Sequence, residues 1–191
     1  DAFDADFDRQ HRSERPIPSG QIDRKVVWVG GVACLLLGLI LIFPLGLKAS
    51  SFAAALTACI VTYDAIHKRT ALAPLLMSAC RFLLYLVAAT AAQHGTNETV
   101  LWRALALASY IIGLSHLARG ESTGGVAVRW PLLLLFAPIA LTLATGTTTG
   151  VVVWMVAAGF VLWILWCVRG GLFRMNLNPG DGVAGLLAGI V

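Results

Sequence analysis

The chain has 191 residues, of which 58% are hydrophobic and 13% charged, and its net charge is +4. A soluble domain carries about 25% charged residues, so a water-facing surface of this size is excluded and the composition describes a polytopic membrane protein. The basic residues are spread along the loops and form no patch, which argues against nucleic acid as a partner.

In chain order the first element is the polar stretch DAFDADFDRQHRSERPIPSG. It holds Asp1, Asp4, Asp6 and Asp8, then Arg9, Arg12 and Arg15, and closes on Pro16, Pro18 and Gly20. Asp1, Asp4 and Asp8 recur at spacings of three and four, so on a helix they share one face, and Asp6 points elsewhere. Three carboxylates within about 10 Å of helix repel one another. Beside a bilayer they are costly unless something cationic neutralises them. Hard carboxylate oxygens suit Mg²⁺, which commonly arrives with phosphate. Guanidinium groups in the same loop match phosphate oxygens bidentately. A solvated acidic loop is the alternative reading.

Segments of spanning length follow at Val26–Leu47, Ser51–His67, Leu72–Gln93, Val100–Leu117, Trp130–Thr145 and Val151–Val168, and a seventh begins near Val183. They are too long for barrel strands, so an all-α transmembrane bundle is expected, with about six complete spans and part of a seventh. Pro44, Pro74 and Pro131 fall near helix ends, and Pro138 is expected to kink its helix. Cys34, Cys59, Cys80 and Cys167 lie in apolar stretches without C-x-x-C spacing and read as small helix residues. The chain opens without Met or a signal-peptide pattern and ends inside the apolar run VAGLLAGIV. It is therefore expected to be a single domain over 1–191, cut at both ends.

The loop charges alternate. Odd-numbered connections carry Arg9, Arg12, Arg15, Arg24, Lys25, Lys68, Arg69, Arg119, Arg129, Arg169 and Arg174. Even-numbered connections are nearly bare, so the odd ones are expected in the cytoplasm. Nine of the ten acidic residues share that side, Glu98 being the exception. A polar site opening toward the cytoplasm accounts for them; loop solvation is the alternative.

Within the spans, Arg81 is an intramembrane cation, a functional candidate by default. It is expected to reach an anionic ligand or pair with Asp64; snorkelling is the alternative. His116 reads as a packed polar residue or a proton acceptor. His11 and His67 read as solvated loop residues, and His94 lies on the bare side. Trp154, Trp163 and Trp166 read as interfacial anchors, with Phe82 and Tyr85 better placed as walls of a site.

The pattern D-x-x-D-x-x-x-D followed by R-P-x-x-x-G resembles the first aspartate-rich motif of the UbiA-type intramembrane prenyltransferases. Asp1, Asp4 and Asp8 take the family's three aspartate positions, and Arg15, Pro16 and Gly20 match the trailing residues. The family's leading Asn would precede Asp1. The resemblance implies a nine-span helical fold that binds Mg²⁺ and an isoprenyl diphosphate, with the segments here as spans three to eight and the start of nine. A second family feature, a Tyr followed by Lys-Arg, reads here as Tyr63 and then Lys68-Arg69, with a Tyr-to-Lys spacing of five where the family has four. A cytoplasmic cap charge is the alternative for Lys68.

The second aspartate-rich motif departs from the family pattern. The corresponding stretch, SHLARGESTGG, has Glu121 as its one acid, with Ser115, His116 and Arg119 nearby. Here the chain looks more like the EboC-like branch. The resemblance implies a multi-pass enzyme of a bacterial plasma membrane. Asp1, Asp4, Asp8 and Glu121 would hold Mg²⁺; these residues and Lys68 would be catalytic. Arg15, Tyr63, Arg81 and Arg119 would bind substrate. The donor would be a prenyl diphosphate and the acceptor lipophilic or aromatic, reached through membrane lipid. The alternative is an EboC-like protein that binds or helps transport a prenyl or secondary-metabolite precursor without transferring it.

Overall fold

The computed structural model of the chain describes residues 2–67, 70–92, 95–122, 130–145, 150–171 and 186, without the side chains of 119–122 and 170–171. The described residues are helical, with no strand among them. Helix α1 is Ala5–His11 and α2 is Arg24–Ile42, closed by a 3₁₀ turn at Phe43–Leu45. Then come α3 (Leu47–Ile66), α4 (Ala73–Ala91), α5 (Glu98–Ser122), α6 (Trp130–Leu134), α7 (Ala137–Ala144) and α8 (Val151–Gly171).

Five of these helices are long and apolar enough to cross a membrane: α2 with its 3₁₀ turn, α3, α4, α5 and α8. The expected segment Trp130–Thr145 is two short helices instead of one span. The prolines explain the boundaries. Pro44 stands in the 3₁₀ turn after α2, and Pro74 and Pro138 occupy the first turns of α4 and α7. A first-turn proline withholds no needed N–H. Pro138 therefore starts a new helix, where a kink within one helix was expected. At the other boundaries, Asp23 caps α2 by accepting from the Lys25 amide at 2.9 Å. Gly46 leads into α3 with φ +113°, a conformation that side chains resist.

Helices α3, α4 and α5 pack successively against one another and form the centre of the bundle. Their short connections make neighbours antiparallel. Small residues permit the close approach: Ala49 and Ala53 on α3, Ala73 on α4, and Ala104, Ala106 and Ala108 on α5 are buried. Ser78 ties α4 to α5 by donating Oγ–H to the Ala108 carbonyl at 2.9 Å. Gly113 stands at a tight contact between α5 and α6. A Cβ there would stand 2.7 Å from the Pro131 carbonyl oxygen and 3.0 Å from Leu134 Cβ.

An apolar core joins Tyr110, Ile111, Leu114 and Leu117 of α5 to Leu135, to Ile164 and Cys167 of α8, and to Leu186. The Tyr110 hydroxyl, buried with them, donates to the Leu186 carbonyl at 2.8 Å. By contrast, no residue of α2 is buried. Its Val29, Leu36, Leu37, Ile40 and Leu41 are more than half exposed, as are Trp154, Met155 and Trp166 on α8. Apolar surface of that extent belongs against lipid or further apolar protein.

Candidate functional site

Helix α1 separates the aspartates by face. Ala2, Ala5 and Asp8 are buried at spacings of three, so the helix lies inward along a stripe of small residues. Asp8 is 2% exposed and Asp4, one turn before it at the helix N-cap, has a side chain 16% exposed. The Asp6 side chain is 69% exposed and pairs outward with Arg9 at 2.7 Å and with Arg24 of α2 at 3.3 Å. Phe3 meets Trp28 edge to face at 4.5 Å. The Arg24 and Trp28 contacts hold α1 against the first turns of α2, and so fix which carboxylates face in.

The stretch after α1 folds over Asp8. Arg15 donates Nη1–H to Asp8 Oδ2 at 2.8 Å, and the second carboxylate oxygen is also sealed from solvent. The Ser19 amide bonds to the Arg15 carbonyl at 2.9 Å and the Ile22 amide to the Pro16 carbonyl at 3.1 Å. Gly20, at φ +78°, supplies the left-handed residue that closes this turn. Asp8, Arg15, Pro16, Ile17, Pro18 and Ile22, with Val27 of α2, line a recess of about 110 Å³. The charge-assisted pair of Arg15 and Asp8 thus stands beside an apolar recess, and guanidinium is a group that matches anionic oxygens.

The end of α3 meets this face. His67, the C-cap of α3, lies with Nε2 3.6 Å from Asp4 Oδ2. Its ring stacks on Tyr63 at 5.1 Å and 19°, and Nδ1 is 3.3 Å from the Asp64 carbonyl. The α3–α4 connection and the aspartate-rich opening therefore share one end of the bundle, although more than sixty residues separate Asp4 from His67.

Of the residues expected at the site, Asp4, Asp8, Arg15 and Tyr63 gather here. Asp1 and Lys68 lie outside the described residues, as do Arg69, His94, Asp181 and the seventh segment near Val183. Arg119 and Glu121 are on the last turns of α5, with side chains outside the description. Arg81 is exposed about 12 Å along α4 from Ala73. No ion pair joins it to Asp64 among the described residues. His116 tilts against Trp130 at 5.0 Å, a packed position.

His67 corrects an expectation. It was read as a solvated loop residue, but its side chain is 25% exposed and faces Asp4. One signal was available: His67 stands four residues after Tyr63, the spacing at which the family pattern carries its cation.

The donor chemistry suits Mg²⁺. Asp4 and Asp8 offer hard oxygens one helical turn apart. Among the described residues no three His, Cys, Asp or Glu side chains form a metal-binding group. Mg²⁺ commonly uses one or two carboxylates and completes its shell with waters and substrate phosphates.

A model of the UbiA prenyltransferase family matches residues 1–177. No curated protein and no solved structure matches the chain.

Proposed function

The chain belongs to the UbiA prenyltransferase family, and from this we propose that it transfers a prenyl group from a Mg²⁺-bound isoprenyl diphosphate to a lipophilic or aromatic acceptor. The supporting observation is that Asp4 and Asp8 turn inward from α1 beside the end of α3, with Asp6 held outside by Arg9 and Arg24. Asp1, Asp4, Asp8 and Glu121 would hold Mg²⁺. Bound there, Mg²⁺ would neutralise charge on the leaving diphosphate.

The chain's own groups do the rest in this reading. Arg15 fixes Asp8 and brings a guanidinium charge to the phosphate oxygens. Lys68 and Arg119 add positive charge where negative charge grows as the allylic C–O bond breaks. Tyr63 forms part of the wall. The electron pair leaves with the diphosphate, the acceptor carbon bonds to the allylic carbon, and the acceptor's proton departs to water. The surrounding helices exclude water from the cation, and the apolar tail lies along lipid-facing surface.

The test is incubation of the membrane protein with Mg²⁺, labelled prenyl diphosphates and a membrane extract, alongside Asp4→Asn. Labelled lipophilic product from the wild type, lost in the variant, is expected. Unchanged affinity of Asp4→Asn for a prenyl diphosphate analogue with Mg²⁺ would remove the aspartates from the metal site.

A second reading, binding or transport without transfer, is favoured by one observation: SHLARGESTGG carries a single acid, Glu121. Tight Mg²⁺-dependent binding without turnover from any donor would select it.

A further inference from the structure

We propose that His67 is a nitrogen ligand to the cation at this site, so that the site takes Mn²⁺ with imidazole coordination as well as Mg²⁺. The inference rests on the metal–diphosphate reading above and names a ligand that reading does not include.

Three contacts fix the imidazole. Its face stacks on Tyr63 at 5.1 Å. Its Nδ1 lies 3.3 Å from the Asp64 carbonyl oxygen. A carbonyl oxygen only accepts, so Nδ1 carries the hydrogen in that bond. In the neutral ring the lone pair is then on Nε2, the nitrogen that faces Asp4 Oδ2 at 3.6 Å. A lone pair facing a carboxylate oxygen is favourable when a cation lies between them. Metal-bound histidines are commonly oriented this way, with the far ring nitrogen donating to a carbonyl or carboxylate.

The separation is compatible with a shared ion. Two donors each about 2.1 Å from one cation lie about 3.0 Å apart at right angles and about 4.2 Å apart in line. The observed 3.6 Å falls between. Phosphate oxygens and waters would complete the shell, as they do for hard divalent ions. Imidazole nitrogen binds first-row transition ions better than Mg²⁺, so it raises Mn²⁺ affinity selectively.

The experiment is electron spin-echo spectroscopy of Mn²⁺ added with inorganic diphosphate to the purified protein in lipid nanodiscs. Wild type, His67→Gln and Asp4→Asn are compared, and Mg²⁺ affinity is measured by competition. In the wild type, ¹⁴N modulation from a coordinated imidazole is expected. His67→Gln should lose that modulation and about 10–100-fold in Mn²⁺ affinity, with Mg²⁺ affinity changed less than about threefold. Asp4→Asn should lose binding of both ions. Bound Mn²⁺ without ¹⁴N modulation in the wild type would overturn the histidine ligand and leave the metal–diphosphate reading standing. Wild-type protein that binds neither ion with diphosphate would overturn both.

Discussion

Arg15 and Asp8 form a charge pair in which the carboxylate is 2% exposed and the guanidinium 34% exposed, joined at 2.8 Å. The asymmetry decides its energetics. Asp8 has given up its water, while Arg15 still borders solvent. Removing Arg15 takes a charge-assisted bond from a buried carboxylate, whereas removing the carboxylate leaves Arg15 beside solvent.

Arg15→Ala should therefore destabilise the protein by about 2–4 kcal/mol, less than a fully enclosed pair because the guanidinium is partly wet. Arg15→Lys should recover only part of this, since an ammonium cannot reproduce the fork geometry. Thermal unfolding in detergent micelles measures both. Equal stability of Arg15→Ala and wild type would show that this pair contributes nothing to folding.

The helix order places residues 13 and 71 at one end of the bundle and residues 48 and 97 at the other. With the native cysteines replaced, cysteines introduced at Ser13 and Ala71 should react with an impermeant reagent from one face of intact membranes. Those at Lys48 and Asn97 should react from the opposite face. Labelling of Ser13 and Ala71 from different sides would contradict the contact between Asp4 and His67.

Glu121→Gln and Arg119→Ala bear on the altered second motif. If these residues meet the diphosphate, turnover should fall by about 10²–10³ while affinity for a diphosphate analogue changes far less, because charge accumulates there only as the bond breaks. Wild-type turnover in both variants would make that stretch catalytically silent.

Gly113→Val tests the bundle itself. Its Cβ would meet the Pro131 carbonyl at 2.7 Å, a backbone atom that cannot rotate away. A loss of about 1–3 kcal/mol is expected from overpacking, read as a lower melting midpoint. A midpoint equal to wild type would mean that α6 moves off α5 without cost.

Much of this arrangement is legible in the residues. Runs such as VVWVGGVACLLLGLILI can satisfy their backbone in lipid only as helix, and first-turn prolines mark where α4 and α7 begin. The inward turn of Asp4 and Asp8 and the outward turn of Asp6 follow from helical spacing alone. His67 was harder to read. Its partner Asp4 comes from a different element, and no local periodicity reports a contact across so many residues. The interruption at Leu135–Phe136 was also hidden, because LLLLFAPIALTLA is apolar throughout and hydropathy does not distinguish one helix from two.

The interruption between α6 and α7 also shapes the apolar side of the bundle. The amides of Leu135 and Phe136 bond to Leu132 and Leu133 three residues back, and those of Ile139 and Ala140 to Phe136. The chain thus turns a corner at membrane depth with these amides satisfied locally. Such a corner lets α7 leave at its own angle to α6 while it packs against α5. Beyond it, α7 and α8 enclose an apolar groove of about 310 Å³ lined by Pro138, Leu143, Val152, Val156 and Phe160. The direction in which the corner sends α7 therefore shapes one wall of that groove.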